Sequence, residues 1–367
     1  MRNQKTKNIA NLLSQKYSLC KFCFARLTGK TTTKSAQKCF ICTNIFQQID
    51  DLVARIFVSI SFYEFSNFET GIILKPSLID RDDHIKSEFQ IKGNGSIKAS
   101  INNEISKKLT HKTKLKIKHR NSDLVITINF KTDSYEIYSK PLYIYGRYIK
   151  KSRTLVQKQH NCTNCLGTGC RSCNFHGLKD FNSVEGQITK FFIAKFDCRQ
   201  VKINWIGGEE KSTLVLGNGR PFFAKIINPK KRKRILRTKI KLEEIQLLEL
   251  RKITTLPKGQ ILFKSKVEIT VKTEKPINGK ILKKLEKLEM PLKINVKGGK
   301  NIIKNIYKIN FKKLSTKLLK IRMYTDGGIP FKSLIQDSYV TPNITSLLKN
   351  KCECIKFDFK KLMLCHK

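Results

Sequence analysis

Leu216-Gly-Asn-Gly-Arg-Pro-Phe222 is the stretch on which the fold of this chain turns. Asn218-Gly219 lies between Leu214-Val-Leu216 and the apolar run Phe222 to Ile227, the composition of a tight turn joining two strands, and predicts a β-hairpin. Just upstream, Val201, Ile203 and Trp205 alternate with Lys202 and Asn204, the pattern of a half-buried strand. Before that, Val184, Ile188, Phe191 and Phe192 share one helix face, with Ser183 as N-cap and Glu185 in the first turn. Downstream, Leu242 to Leu250 and Ile277 to Leu288 predict helices, and Ile355, Phe357 and Phe359 alternate in a closing strand. Nearer the N-terminus, Ile101, Ile105 and Leu109 recur at helical spacing, while Leu124 to Phe130 and Glu136 to Tyr145 predict strands. The fold class is α+β, with no internal repeat and no long low-complexity linker.

A length of 367 residues suggests two or three domains. Lys and Arg outnumber acids 74 to 28, for a formal charge of +46 spread along the chain. Such a field attracts polyanions, and RNA or DNA is the default partner. A membrane surface would also answer this charge, but no apolar run approaches the roughly 18 residues of a span; Leu52 to Phe65 is interrupted by Arg55. The expectation is a soluble intracellular protein without a membrane partner, cytoplasmic in a prokaryote or archaeon, nuclear or cytoplasmic in a eukaryote. The first acidic residue is Asp50, a transit-peptide trait, but paired cysteines inside that stretch favour a folded module. The abundance of Lys, Asn and Ile points to AT-rich coding.

Eight of the twelve cysteines fall in Cys-x2-Cys pairs, which favours metal in a reducing compartment over disulfides. Cys20, Cys23, Cys39 and Cys42 have the spacing of two knuckles that supply tetrahedral thiolates to one structural zinc ion. Cys162, Cys165, Cys170 and Cys173 are closer together, and Gly167 and Gly169 allow the tight turn a second zinc site demands. Buried structural cysteines are the plainer alternative. The second cluster also occurs in chaperone zinc modules, which repeat it in several copies where this chain has one. Cys198, Cys352, Cys354 and Cys365 read as ordinary strand or tail residues. Lys230, Lys231, Arg232 and Arg234, in the run Pro229-Lys-Lys-Arg-Lys-Arg234, suit a phosphate clamp or a nuclear address, against the alternative of a solvated basic face.

The order of cysteine pairs, α/β domain, Gly146-Arg-Tyr-Ile-Lys-Lys-Ser-Arg153, second cysteine cluster, Ser183-Val-Glu185 and Leu216-Gly-Asn-Gly-Arg-Pro-Phe222 resembles the archaeal and eukaryotic tRNA pseudouridine synthases of the "Pus-ten" type. Pro342-Asn-Ile-Thr-Ser-Leu-Leu348 looks like the C-terminal motif of that family. The resemblance covers almost the whole chain. It implies a zinc-binding module at 1–50, a THUMP-like RNA-binding domain at 51–150, and a pseudouridine synthase domain at 151–367 built on a mixed, largely antiparallel sheet. It implies conversion of uridine 55, and often uridine 54, in the T arm of tRNA to pseudouridine, with no organic cofactor and a monomeric enzyme.

In that family the catalytic Asp precedes the Leu-Gly-Asn-Gly-Arg-Pro-Phe string, and register places Glu210 of Gly207-Gly208-Glu209-Glu210-Lys211 in its position. Lys332, in Gly328-Ile329-Pro330-Phe331-Lys332, takes the place of a family lysine and would keep the Glu210 carboxylate ionised. Arg220 and Asn218 are the expected substrate or phosphate contacts. The chain departs from the family at three points. The carboxylate is one methylene longer, Pro330 replaces a tyrosine, and a second active-site tyrosine falls near Val267 or Glu268 and is absent. A reacting group misplaced by about 1 Å can cost roughly a hundredfold in rate. The competing expectation is therefore a tRNA-binding or folding protein of this family with impaired catalysis. A DNA-binding zinc protein would want a recognition helix after the knuckles, and none is evident.

Overall fold

The computed structural model describes residues 2–33, 36–288, 291–295, 301–336 and 339–365. They divide into two compact units, Met1–Lys140 with Asn228–Lys233, and Pro141–Ile227 with Arg234–Lys367.

The first unit runs α1 (Arg2–Lys16), α2 (Lys21–Thr28), α3 (Ile45–Ile60), β1 (Asn67–Ile73), α4 (Pro76–Glu88), α5 (Ile97–Thr113), β2 (Lys116–Ile117), β3 (Leu124–Asn129) and β4 (Ser134–Ser139). Its sheet has the order β2-β1-β3-β4, with β1 parallel to both neighbours and β4 antiparallel to β3. The stripe Ile101, Ile105 and Leu109 of α5 is fully buried, as the helical spacing demands, and Ser96 caps the helix by accepting from the N–H of Ala99 at 3.1 Å. Cys20, Cys23, Cys39 and Cys42 belong to this same core, together with Ile49, Val53 and Ile56 of α3. The expected boundary at residue 50 is therefore not a break in packing.

The second unit contains β5 (Leu142–Lys150), α6 (Val184–Phe196), β6 (Gln200–Trp205), β7 (Val215–Ile227), β8 (Lys239–Lys241), β9 (Ile245–Ile253), β10 (Phe263–Thr273), α7 (Gly279–Leu282), β11 (Pro291–Asn295), β12 (Asn301–Lys313), β13 (Leu318–Asp326), α8 (Phe331–Gln336), β14 (Val340–Thr341), α9 (Ile344–Leu348) and β15 (Cys352–Leu364). One sheet runs β14-β11-β12-β13-β10-β15-β7-β5-β9-β8, with β6 added beside β7. Only the contact between β15 and β7 is parallel, so the sheet is mixed and largely antiparallel. Ser183 caps α6 as expected, accepting from the N–H of Gly186 at 2.8 Å.

Four expectations are corrected. Val215 to Ile227 is one continuous strand, and the expected hairpin from Leu214 to Ile227 does not form. Gly217 and Gly219 have φ of 60° and 71°, and a Cβ there would lie 2.0 Å from the Lys360 carbonyl oxygen and 2.7 Å from that of Tyr148. The Gly-Asn-Gly sequence thus lets β7 pass between two closely apposed backbones instead of reversing the chain. Glu136 to Tyr145 is two strands in different units, β4 and β5, separated at Lys140-Pro141; the expected boundary at residue 150 moves to 140. Leu242 to Leu250 is largely strand β9, because Ile245 and Leu247 sit on the core face of the large sheet and tertiary pairing overrides helix propensity. Ile277 to Leu288 is reduced to the single turn α7 and a 3₁₀ segment Lys283–Leu288.

Candidate active site

The loop between β6 and β7 carries two adjacent glutamates with different surroundings. The Glu209 side chain is fully buried, and its Oε2 accepts from the Tyr148 hydroxyl at 2.9 Å and from Arg220 Nε at 3.1 Å. Lys150 Nζ lies 3.3 Å from the other oxygen, Oε1. Gln157 completes the shell, donating from Nε2 to the Tyr148 oxygen at 2.9 Å. Alternation along β5 puts Tyr148 and Lys150 on one face, and Arg220 on the neighbouring β7 meets them there. Burial, with the Glu209 charge adding to it, pushes the Tyr148 hydroxyl well above its ordinary pKa and keeps it neutral. Burial lowers the Lys150 ammonium, opposed by Glu209. This cluster holds the loop in place.

Glu210 turns the other way. Its Oε2 is 2.8 Å from Lys332 Nζ, with side-chain exposures of 40% and 55%. The pair opens into a cleft of about 640 Å³ lined by Gly208, Pro330, Phe331, Gln336, Phe357 and Phe359. Lys332 stands in the first turn of α8, so the helix fixes its backbone while its ammonium reaches the loop. Donating to the Glu210 carboxylate raises the Lys332 pKa above its ordinary 10.5, so the ammonium stays charged across the physiological range. Nearby Cys354 is pushed up to about 11 by burial and stays a thiol at neutral pH. The Arg220 guanidinium stacks 4.4 Å above the Phe359 ring, linking the Glu209 cluster to the cleft floor. Chemically, the cleft offers a carboxylate with a fixed cation beside it and apolar rings beneath.

The sequence expectation of a Glu210–Lys332 pair matches this geometry. The expected substrate contacts Arg220 and Asn218 do not. Arg220 is fully buried on Glu209 and the Ile206 carbonyl, and Asn218 is occupied with the backbone of Leu362, donating at 2.8 Å and accepting at 3.0 Å. Both side chains brace strands. Within the basic run, Arg232 donates to Ser139 Oγ at 3.0 Å, and Lys230 and Lys233 are tied to Glu64 through their backbones, so this run docks on the first unit along its main chain. Lys231 is half-buried and Arg234 exposed. Pro330 lines the cleft, Val267 is 2% exposed on the core face of β10, and Glu268 points to the opposite face. Tyr148, Lys150, Gln157 and Glu209 escaped the sequence reading. Tyr148 and Lys150 lie in the Gly146 to Arg153 motif and Glu209 stands beside the candidate catalytic carboxylate, but no pattern joined the two segments.

Both four-cysteine sets close. The sulfur atoms of each lie within 4.8 Å of one another, and none is in a disulfide. Pairs at 3.6 Å for Cys20 and Cys42, and 3.8 Å for Cys165 and Cys173, approach the roughly 3.8 Å edge of a tetrahedron with zinc–sulfur bonds of about 2.3 Å. Backbone N–H groups of Gly169, Cys170 and Gly177 point at the sulfurs of Cys165 and Cys173 at 3.2–3.3 Å, the second shell a thiolate site requires. Both sets fit a metal ion. Among the described residues, no helix is long and apolar enough to cross a membrane.

Comparison with known proteins agrees along the chain. Residues 143–362 match the family model described as Pus10, C-terminal, and residues 52–129 match the Pus10 THUMP domain, archaeal. The tRNA pseudouridine synthase Pus10 of Nitrosopumilus maritimus is 39% identical, over 97% of this chain and 97% of its own. That of Cenarchaeum symbiosum is 28% identical over 94% and 90%, and that of Korarchaeum cryptofilum 24% over 90% and 95%. With its C-terminal unit matched over most of its length and a relative this similar end to end, the chain belongs to the Pus10 family.

Proposed function

We propose that the protein is a tRNA pseudouridine synthase acting on uridine 55 of the T arm, with uridine 54 as the next candidate, and that Glu210 and Lys332 do the chemistry. The observation that carries this reading is the Glu210–Lys332 pair at 2.8 Å in an open cleft, in register with the family motif. A uridine extruded from its stack would enter the cleft over the phenylalanine floor. Glu210 then acts at the ribose as the C1′–N1 bond breaks, and Lys332 holds the carboxylate ionised. The base turns, C1′–C5 forms, C5 gives up its proton and N1 gains one. Atoms and electrons balance within the nucleotide, so no organic cofactor is needed. The THUMP domain binds the tRNA, both cysteine sets hold structural zinc, and the enzyme works as a monomer.

The test is incubation with an unmodified tRNA transcript and mapping of pseudouridine, with Glu210→Ala as control. Product at position 55 that disappears in the variant is expected. Product that persists in Glu210→Ala removes the residue assignment.

A second reading is a tRNA-binding or folding protein without turnover, favoured by Pro330 at the cleft wall and Val267 in the core, where relatives of this type are expected to carry tyrosine. Absence of product with intact tRNA binding would support it.

A further inference from the structure

The strands β12, β13, β10 and β15 lie side by side, and the two faces of this array differ. One is core: Ile321, Ile269 and Phe357 are buried on it, and Phe357 and Phe359 also line the Glu210 cleft. Among the described residues, the other face is polar and largely exposed. Register sets Lys312 opposite Lys320, and Lys320 and Lys356 on either side of Thr270. Four residues along β10, Lys266 stands between Tyr324 and Lys361. Lys266, Lys312, Arg322, Lys356 and Lys361 are all exposed.

Between these rows sits one acid. Glu268 has 15% side-chain exposure and draws in Arg322 at 2.8 Å, Lys320 at 3.4 Å and Lys360 at 3.5 Å. Asp358, its cross-strand partner, is buried against Arg153 at 2.8 Å and does not offset the face. Ordinary solvated surfaces intersperse both signs, and like charges at cross-strand spacing repel, so this arrangement carries a folding cost that an external polyanion would offset.

We propose that this bare sheet face binds the phosphodiester backbone of RNA, as a contact separate from the Glu210 cleft on the opposite face. A membrane surface is the other polyanion such a face could meet, and the vesicle arm of the test below separates the two. The inference rests on the functional reading above only in taking tRNA as the RNA.

The test is a salt series of binding to an unmodified tRNA transcript, for the wild type, the triple variant K266Q/R322Q/K356Q and E268Q. Three lost phosphate contacts should lower the slope of log affinity against log salt by about 2–3 and weaken binding about a hundredfold near 0.15 M salt. E268Q frees three cations and should bind more tightly with a steeper slope, the opposite of what loss of a structural ion pair would do. An unaltered slope in the triple variant, or weaker binding by E268Q, overturns the proposal. So does wild-type sedimentation with phosphatidylserine vesicles that the triple variant loses while its tRNA binding is kept. Circular dichroism melts check folding, and if the triple variant is unfolded, E268Q with K266Q alone decides. A wild type that makes no pseudouridine yet shows the slope change ends the isomerase reading and leaves this surface standing.

Discussion

Glu209 and Glu210 are neighbours in the chain and opposites in environment. The Glu209 side chain has no exposed surface and is met by Tyr148, Lys150 and Arg220; the Glu210 side chain is 40% exposed and meets Lys332 at the rim of a cleft. A buried charge must be compensated by partners or it unfolds the protein, whereas an exposed one has carboxylate oxygens available to a substrate. The same side chain is thus a structural brace at one position and a candidate reacting group at the next.

The sharpest way to break that comparison is to exchange the consequences. Glu210→Gln is expected to lower pseudouridine formation by about 10²–10⁴-fold, the range of a lost acid–base group, while changing unfolding free energy by less than about 1 kcal/mol. Glu209→Gln should do the reverse, costing about 3–5 kcal/mol in denaturant unfolding because Lys150 and Arg220 are left as buried charges without a counter-ion. Equal effects of the two variants on stability would show that the contrast in burial has no energetic content.

The cysteine sets extend the comparison, since the first lies within a large core and the second is half-exposed. Cys162→Ser should lose one zinc per chain by metal analysis and leave the first set loaded. A full metal complement in that variant would mean the second set holds no metal. Its cost in stability should be smaller than that of Cys20→Ser, whose site is tied into the first unit's packing.

The smallest effect concerns Lys332. Its folded pKa is raised, so the stability it contributes is fully present below about 10.5 and is lost as pH rises through the folded value. The difference in unfolding free energy between wild type and Lys332→Gln, at most about 1 kcal/mol for a pair this exposed, should be constant from pH 7 to 9 and fall away as the ammonium is titrated in strong alkali. A difference that grows with alkalinity would contradict the pairing.

Much of this was legible in the chain because it is encoded locally. The Ser183 cap, the buried stripe of α5 and the alternation of β6 depend on residues a few positions apart. The Glu210–Lys332 pair, 122 positions apart, was found through motif register. What failed shares one cause. The Gly-Asn-Gly segment has a turn's composition, but its glycines serve close approach to strands β5 and β15. Leu242 to Leu250 has a helix's composition but is claimed by the large sheet, where β9 pairs with β5 and β8. Arg220 and Asn218 carry the groups of ligand contacts, yet their partners, Glu209 and the backbone of Leu362, are fixed only when β7 is packed.

By itself, then, the sequence determined the basic charge, the metal-ligand spacing, the family and the positions of Glu210 and Lys332, since each is a property of composition or short pattern. Only the tertiary structure decided which glutamate is buried, which arginine is a brace and which face of the large sheet is left bare. Burial and pairing are set by strands brought together from distant parts of the chain, and no local pattern records which neighbour a side chain will meet.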